Sequence, residues 1–549
     1  MNVAELVGRT LAQLGVGHAF GVVGSGNFEF TNALRQNGVP FVAARHEGGA
    51  ATMADAFSRM SGSVAVVTTH QGCGLTNAIT GVSESAKSRT PMIVLAADTP
   101  GFSVRSNFKI DQDALARSVG AVAERIHSPA SAVADTIRAY RTAVNERRTV
   151  VLNFPTDVQA APAPPVTAER VAELAAPRAI RPSPEAVDML VSLIATADRP
   201  VFVAGRGGRM ARDEILELAR AAGALVATSA VASGLFTGEE FSLGISGGFS
   251  SPVTAELITG ADLIVGWGCA LNMWTMRHGS LISESTKVVQ VDIEDSSLGA
   301  NRPIDLGVLG DSALTATDAL AALRLKDVHD STKYRTEQNK LLIADQSRWQ
   351  DVPIQDISTV DRVDPRLVTT ALDAILPKER IVSVDSGNFM GYPSTHLSVP
   401  DEFGFCFTQA YQSIGLGLYT AIGAALAQPD RLPVLGTGDG GFLMGISELE
   451  TAVRLNIPLV VIVYNDAAYG AEVHHFTSAQ DLETVTFPDV DIASIGRGFG
   501  AEGITVRTIE DLDGVRAWLD GPRNGPLVID VKIADDGGSW WLAEAFQAH

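Results

Sequence analysis

Gly436-Thr437-Gly438-Asp439-Gly440-Gly441-Phe442 directly follows the apolar run 433–435, and its reading decides the rest of the chain. Glycines here let the backbone turn sharply and approach a ligand, and an exposed helix N-terminus behind them favours phosphate. A carboxylate inside such a loop is out of place unless a cation offsets it. Mg²⁺ prefers one or two carboxylates plus phosphate oxygens and water, so Asp439 beside a diphosphate makes sense with a metal bridging them. The second half of the pattern lies beyond a helix over 446–455 and a strand over 459–464, in Asn465-Asp466-Ala467-Ala468-Tyr469-Gly470. A helix plus an adjacent parallel strand returns Asn465 and Asp466 to the sheet edge that carries Asp439, where α/β sheets bind ligands. A Gly-Asp-Gly alone reads as an ordinary polar turn; the spacing to the strand-end Asn-Asp favours the metal.

The alternation around this stretch runs from end to end. Apolar runs at 64–69, 92–97, 150–154, 200–204, 263–267, 288–293, 381–384, 433–436, 459–464 and 527–531 read as buried strands. Helical patterns such as 213–222 and 446–455 lie between them, which predicts α/β domains with doubly wound parallel sheets. The segment 160–184 holds six prolines and loses periodicity, so it reads as a linker. The polar segment 326–365 reads as a second connector. Three domains follow, at 1–162, 185–325 and 360–549, and the first and last are candidates for distant copies of one fold.

Bulk properties narrow the class. A chain of 549 residues is too long for one core, and 46% hydrophobic with 19% charged residues is an ordinary globular balance. No apolar run reaches the ~18–20 residues that span a bilayer, and Met1-Asn2-Val3-Ala4-Glu5 does not open like a secretion signal. The net charge of −21 argues against nucleic acid or an anionic membrane as partner. Cys73, Cys269 and Cys406 are too scattered for a disulfide framework and are expected as buried free thiols in a cytoplasmic protein.

Resemblance now adds to this reading. Gly438-Asp439-Gly440 with Asn465-Asp466 resembles the thiamine diphosphate signature, in which an Asp and a later Asn or Asp hold Mg²⁺ on the coenzyme's diphosphate. The resemblance implies Asp439, Asp466 and the Ala468 carbonyl as metal ligands, with Asn465 in support. It implies Gly438, Gly440, Gly441, Tyr469 and Gly470 as coenzyme contacts. Two adjacent asparagines usually close the pattern; Asp466 in the second place keeps an oxygen donor and adds a negative charge. In Ala44-Arg45-His46-Glu47-Gly48-Gly49-Ala50-Ala51, Glu47 opens a small-residue helix, where an acid complements the helix dipole in any case. That segment resembles the acetolactate synthase and benzoylformate decarboxylase family at its activating glutamate, a carboxyl that exchanges a proton with the coenzyme's aminopyrimidine ring.

Other segments follow the same resemblance. Gly24, in Gly21-Val22-Val23-Gly24-Ser25-Gly26, belongs to a glycine turn implied at the coenzyme. Thr69-His70-Gln71-Gly72-Cys73-Gly74-Leu75-Thr76-Asn77 resembles the substrate-side loop. Benzoylformate decarboxylases carry a histidine seven residues before the Asn, as His70 precedes Asn77. His70 is implied as donor to a keto acid carboxylate or as proton relay, a solvated turn residue being the alternative. Gln112 falls near a further substrate-facing loop, although the usual Phe-Gln-Glu is absent. Ser413-Ile414-Gly415 resembles the segment whose apolar side chain wedges between the coenzyme rings; core packing is the alternative for Ile414. Ser386, Gly387 and Asn388, after Asp385, are expected near the diphosphate. His474 and His475 face either substrate or solvent.

In the middle block, glycine turns at 205–208, 247–248 and 266–268 permit a nucleotide. Acetolactate synthases bind FAD there, but their Arg-Phe-Asp-Asp-Arg segment is replaced by Cys269-Ala270-Leu271-Asn272-Met273-Trp274, which leaves FAD open. The family places its coenzyme between the N-terminal domain of one subunit and the C-terminal domain of another, implying a homodimer at least and commonly a homotetramer. The activity expected is decarboxylation of a pyruvate-like 2-keto acid with carboligation to a carbonyl acceptor. Simple decarboxylation and a catalytically silent regulatory paralogue are the alternatives.

Overall fold

The computed structural model describes residues 1–164, 179–326, 332–476 and 481–545, with 543–545 as backbone only. It contains three six-stranded, wholly parallel sheets. The first holds β1 (His18–Gly21), β2 (Phe41–Ala43), β3 (Ala65–Thr69), β4 (Met92–Asp98), β5 (Val122–Arg125) and β6 (Thr149–Pro155). The second holds β7 (Pro200–Ala204), β8 (Leu225–Thr228), β9 (Ser242–Ile245), β10 (Leu263–Trp267), β11 (Lys287–Asp292) and β12 (Leu306–Leu309). The third holds β13 (Arg380–Val384), β14 (Phe405–Phe407), β15 (Leu432–Gly438), β16 (Val460–Asn465), β17 (Glu502–Val506) and β18 (Leu527–Lys532). Central strands such as β4, β15 and β16 are buried at every residue, as helices on both faces of a parallel sheet require.

The first and third sheets share one order, β2-β1-β3-β4-β6-β5 and β14-β13-β15-β16-β18-β17, which bears out the reading of those blocks as copies of one fold. The second runs β12-β11-β10-β7-β8-β9, the doubly wound order of dinucleotide-binding domains. In the third sheet the strand order reverses between β13 and β15, so the loops after those strands flank the crevice where such sheets bind ligands.

Small residues bring the outer domains together. Helix Glu47–Ser61 buries Gly48, Gly49, Ala50, Ala51 and Ala54 and packs against helix Gly417–Ala427 of the last domain. A Cβ on Gly423 would collide with the Met53 carbonyl, so this contact requires glycine.

Three sequence readings change here. Part of the expected linker, 165–178, lies outside the described residues, as does 327–331 of the second connector. The first part of what remains of that connector is packed: Tyr334 is buried with its hydroxyl donating to the Leu257 carbonyl at 2.8 Å, and Ile343 joins the central-domain core, while most of 353–361 is exposed. Cys269 and Cys406 are buried, but Cys73 is exposed because it opens helix Cys73–Lys87 at the rim of the His70 loop. The predicted helix over 446–455 is a 3-10 turn, Ile446–Glu448, followed by helix Leu449–Arg454.

Candidate active site

Strand register assembles the acidic end of the site. Gly438 pairs with Tyr464, so Asp439, opening helix Asp439–Gly445, and the pair Asn465-Asp466 leave adjacent strands side by side. The two acid side chains lie close enough to influence each other, and both carboxyls are held above the usual carboxylate range. Burial is the main cause, and the nearby charge of Asp439 raises Asp466 further. Among the described residues no lysine or arginine pairs with either. Two facing buried acids need a proton or a cation between them, and oxygen donors at a glycine turn are the chemistry of Mg²⁺.

The turn after β16 is built to hold this arrangement. Asn465 Nδ2 donates to Asp530 at 2.9 Å, and its Oδ1 accepts from the Ala467 amide at 3.2 Å. Ala467 takes a positive φ of 59°. The Ala468 amide donates to Asp466 at 3.1 Å. The bridge from Ala468 to Thr486 is made by the Ala467 carbonyl and the Tyr469 amide, which leaves the Ala468 carbonyl out of that ladder. A Cβ on Gly440 would come within 2.8 Å of the Tyr469 ring, and one on Gly470 would collide with the Asp466 carboxylate. These glycines therefore let the chain close around the acids.

Across the crevice, Asp385 joins three segments. Its buried carboxylate accepts from the Ser386 amide at 2.8 Å, the Gly415 amide at 3.0 Å and the Thr437 hydroxyl at 3.1 Å. Burial still pushes its carboxyl up to about 6. A Cβ on Gly441 would sit 2.5 Å from that carboxylate. Sequence reading quoted Asp385 only as part of a loop; nothing in the motif told that it ties the Ile414 loop to β15. Ser386 and Gly387 line a cavity of about 1320 Å³ that Ile414 also faces. Asn388 does not: its Oδ1 and carbonyl accept from the Ser539 amide and hydroxyl at 3.3 and 2.9 Å, which turns it to the C-terminal segment. Ile414 is 42% exposed, which removes the core-packing alternative.

The N-terminal domain places the other expected groups. Glu47 begins its helix behind His46, whose Nδ1 accepts from the Gly48 amide at 3.0 Å. The Glu47 carboxylate accepts from Asn77 Nδ2 at 3.1 Å and is half-exposed, not enclosed by its Gly and Ala neighbours. Glu448 of the last domain clamps the turn ahead of it, accepting from the Arg45 and His46 amides at 2.8 and 2.9 Å. His70 stacks near Phe108, with ring centroids 4.9 Å apart, and a Cβ on Gly24 would press on its ring at 2.8 Å. The glycine turn and the His70 loop therefore meet.

Gln112 is a correction. It is 1% exposed; its Oε1 accepts from the Gly72 amide at 2.8 Å, while its Nε2 donates to Ala97 and Asn153 at 3.1 and 2.7 Å. With every polar atom engaged, it shapes the His70 loop from beneath and cannot face a substrate. His474 lies 3.8 Å from Asp535, and the His475 ring packs 4.6 Å from Phe476.

The large cavity lies where all three domains meet. The turns after β7 and β10 lock there, Gly205 and Gly207 amides donating to the Trp267 and Gly268 carbonyls at 2.9 and 3.1 Å. Arg59, Arg89, Arg147, Arg206 and Arg209 line it. Buried Nε atoms of Arg89 and Arg209 have no hydrogen-bond partner among the described residues, and burial among other arginines lowers Arg206 to about 9. Sequence reading found the glycine turns but missed these arginines, which come from separate domains.

A pair of facing acids at the carboxyl ends of β15 and β16, with a helix-opening glutamate on a second domain of the same strand order, is an arrangement that suits a diphosphate coenzyme. The chain belongs to the thiamine pyrophosphate enzymes. Residues 1–115 match the N-terminal TPP binding domain of that family, 187–323 its central domain and 385–531 its C-terminal TPP binding domain. It is 27% identical to sulfoacetaldehyde acetyltransferase of Rhodobacter capsulatus, over 99% of this chain and 96% of that one. It is likewise 27% identical to a probable acetolactate synthase large subunit of Methanocaldococcus jannaschii, over 86% and 81%. A thiamine diphosphate-dependent 4-hydroxybenzoylformate decarboxylase of Rhodococcus jostii shares the fold, with a TM-score of 0.81, 22% identity, and 98% and 100% of the two chains covered. Among the described residues, no helix is long and apolar enough to cross a membrane.

Proposed function

We propose that this enzyme decarboxylates a pyruvate-like 2-keto acid and joins the remaining fragment to a second carbonyl compound, as an acetolactate synthase-like carboligase using Mg²⁺. The neighbouring acids Asp439 and Asp466 at the ends of adjacent strands carry the reading, because a divalent cation would offset both at the place where a diphosphate would end. Asp439, Asp466 and the Ala468 carbonyl would hold that cation. When bound, thiamine diphosphate supplies the electron sink for loss of carbon dioxide. Glu47 Oε2, oriented by Asn77, exchanges the activating proton. His70, beside Gly24 and Phe108, donates to the substrate carboxylate, and the exposed Ile414 side chain would wedge between the rings of the coenzyme. The acetyltransferase and acetolactate synthase relatives support a two-substrate reaction. The packed position of His70 favours the second reading, plain decarboxylation.

Glu47 is half-exposed in the single chain, which supports a homodimer, or a tetramer built from it, that completes the site. Three free thiols support a cytoplasmic setting. The unpartnered guanidinium atoms of the large cavity and the dinucleotide-type strand order of its sheet support an anionic nucleotide there. FAD is one such group, and flavin absorbance of the purified protein tests it. Incubation with pyruvate, thiamine diphosphate and Mg²⁺ should yield acetolactate or acetoin by mass spectrometry. Aldehyde alone would select the second reading, and no product over a keto acid panel would point to a silent paralogue. Asp439→Ala should abolish Mg²⁺-dependent coenzyme binding in calorimetry; undiminished affinity would remove the metal assignment.

A further inference from the structure

Ile414 is an apolar, β-branched side chain left exposed on the wall of the large cavity. Its loop is strained, with positive φ at Gln412 (58°) and Gly415 (86°). Nonetheless it is fastened at both ends by buried carboxylates. Asp385, of the same domain, accepts from the Gly415 amide at 3.0 Å. At the other end the fastening comes from a different domain. Glu84, on helix Cys73–Lys87, accepts from the Ala410 amide at 3.0 Å and from the Tyr411 amide at 2.6 Å.

Glu84 is wholly buried. Arg59 donates to it at 2.7 Å, to Asp55 at 2.6 Å, and to the Phe407 carbonyl at 2.9 Å. The N-terminal domain thus grips the segment 407–411 with one donor and one acceptor. A carboxylate kept only to balance Arg59 would not need both oxygens on main-chain amides: Oε1 takes Ala410 and Arg59, while Oε2 takes Tyr411. Burying a charge is tolerable only when its lone pairs are used, and here their use fixes the backbone three and four residues ahead of Ile414.

We propose that Glu84 is a positioning residue that sets, across the domain boundary, where Ile414 stands in the site. This rests on the reading of Ile414 as a coenzyme-facing side chain. Glu84→Gln keeps the volume but turns an N–H₂ toward one of the two amides, so the loop loses an anchor while Asp439 and Asp466 are untouched. In the coenzyme-free protein, amide hydrogen exchange of a peptide covering 408–415 should quicken, with peptides elsewhere unchanged. In the loaded enzyme, kcat should fall about tenfold to hundredfold, as small displacements at a reacting centre cause, with KM and coenzyme affinity held within about threefold. Ile414→Ala should show a similar loss, and the double variant should be no worse than Ile414→Ala alone.

Unchanged protection of 408–415, or losses that multiply in the double variant, would overturn the proposal. If Glu84→Gln fails to fold, Glu84→Asp keeps the charge beside Arg59, shortens the reach to both amides, and is read the same way. Should the unaltered chain not bind thiamine diphosphate at all, the proposed function fails. The exchange experiment on the coenzyme-free protein then still decides whether Glu84 holds the loop.

Discussion

Asp466 and Glu47 are single atoms' worth of chemistry on opposite halves of the chain, and each invites a substitution that changes one property. Asp466→Asn removes a charge and keeps an oxygen donor, so the coenzyme should still bind. The Mg²⁺ concentration needed for half-saturation should rise by about tenfold, or ~1.4 kcal/mol. Magnesium titration of coenzyme binding checks this, and an unmoved midpoint means the Asp466 charge does not face the metal. Glu47→Gln keeps the hydrogen bond from Asn77 but cannot exchange the proton. Turnover should drop by about 10²–10⁴-fold, the usual range for a general acid–base group, with coenzyme affinity retained. Equal turnover in the two proteins would assign Glu47 to helix capping alone.

Two helices decide how the outer domains meet. Helix Glu47–Ser61 carries Glu47 and Arg59, and helix Gly417–Ala427 follows the Ile414 loop, so their spacing sets the geometry of both halves. Gly423 sits where a Cβ would strike the Met53 carbonyl. Alanine is normally the better helix residue by ~0.5–1 kcal/mol. Here overpacking against main chain, at ~1–3 kcal/mol, should prevail. Gly423→Ala is therefore expected to lower the urea midpoint, and a rise would show that the helices part easily.

For the molecule as a whole, buried histidines set the acid limit. His18, between Phe20 and Phe57 at 4.9 and 5.1 Å, and His396 are both lowered from 6.5 to about 4, chiefly by burial. A base whose folded pKa is depressed gives the fold its full stability above 6.5, and that stability is lost as pH falls from 6.5 toward 4. Denaturant unfolding at pH 7 and pH 5 should show the loss. His18→Phe, which keeps the aromatic contact, should shrink the gap; an equal gap in both proteins would clear His18.

How much of this was legible in the sequence follows from burial and from distance along the chain. Ten strands were readable as apolar runs, all of them interior strands. The eight that were not are the six edges of the three sheets, β2, β5, β9, β12, β14 and β17, and the short interior strands β1 and β8. An edge strand is short and half exposed, so it lacks the continuous apolar run that marks a buried one. The acid pair was legible because Asp439 and Asp466 are linked by a short helical crossover and one strand, a unit whose geometry the chain itself dictates. Gln112 was misplaced, and Glu84 and the cavity arginines went unseen, because their partners lie far off in sequence. Glu84 meets Ala410 across 326 residues. Local pattern determines elements, sheets and any site built within one βαβ unit; only the docking of one domain on another decides which buried charge holds which loop.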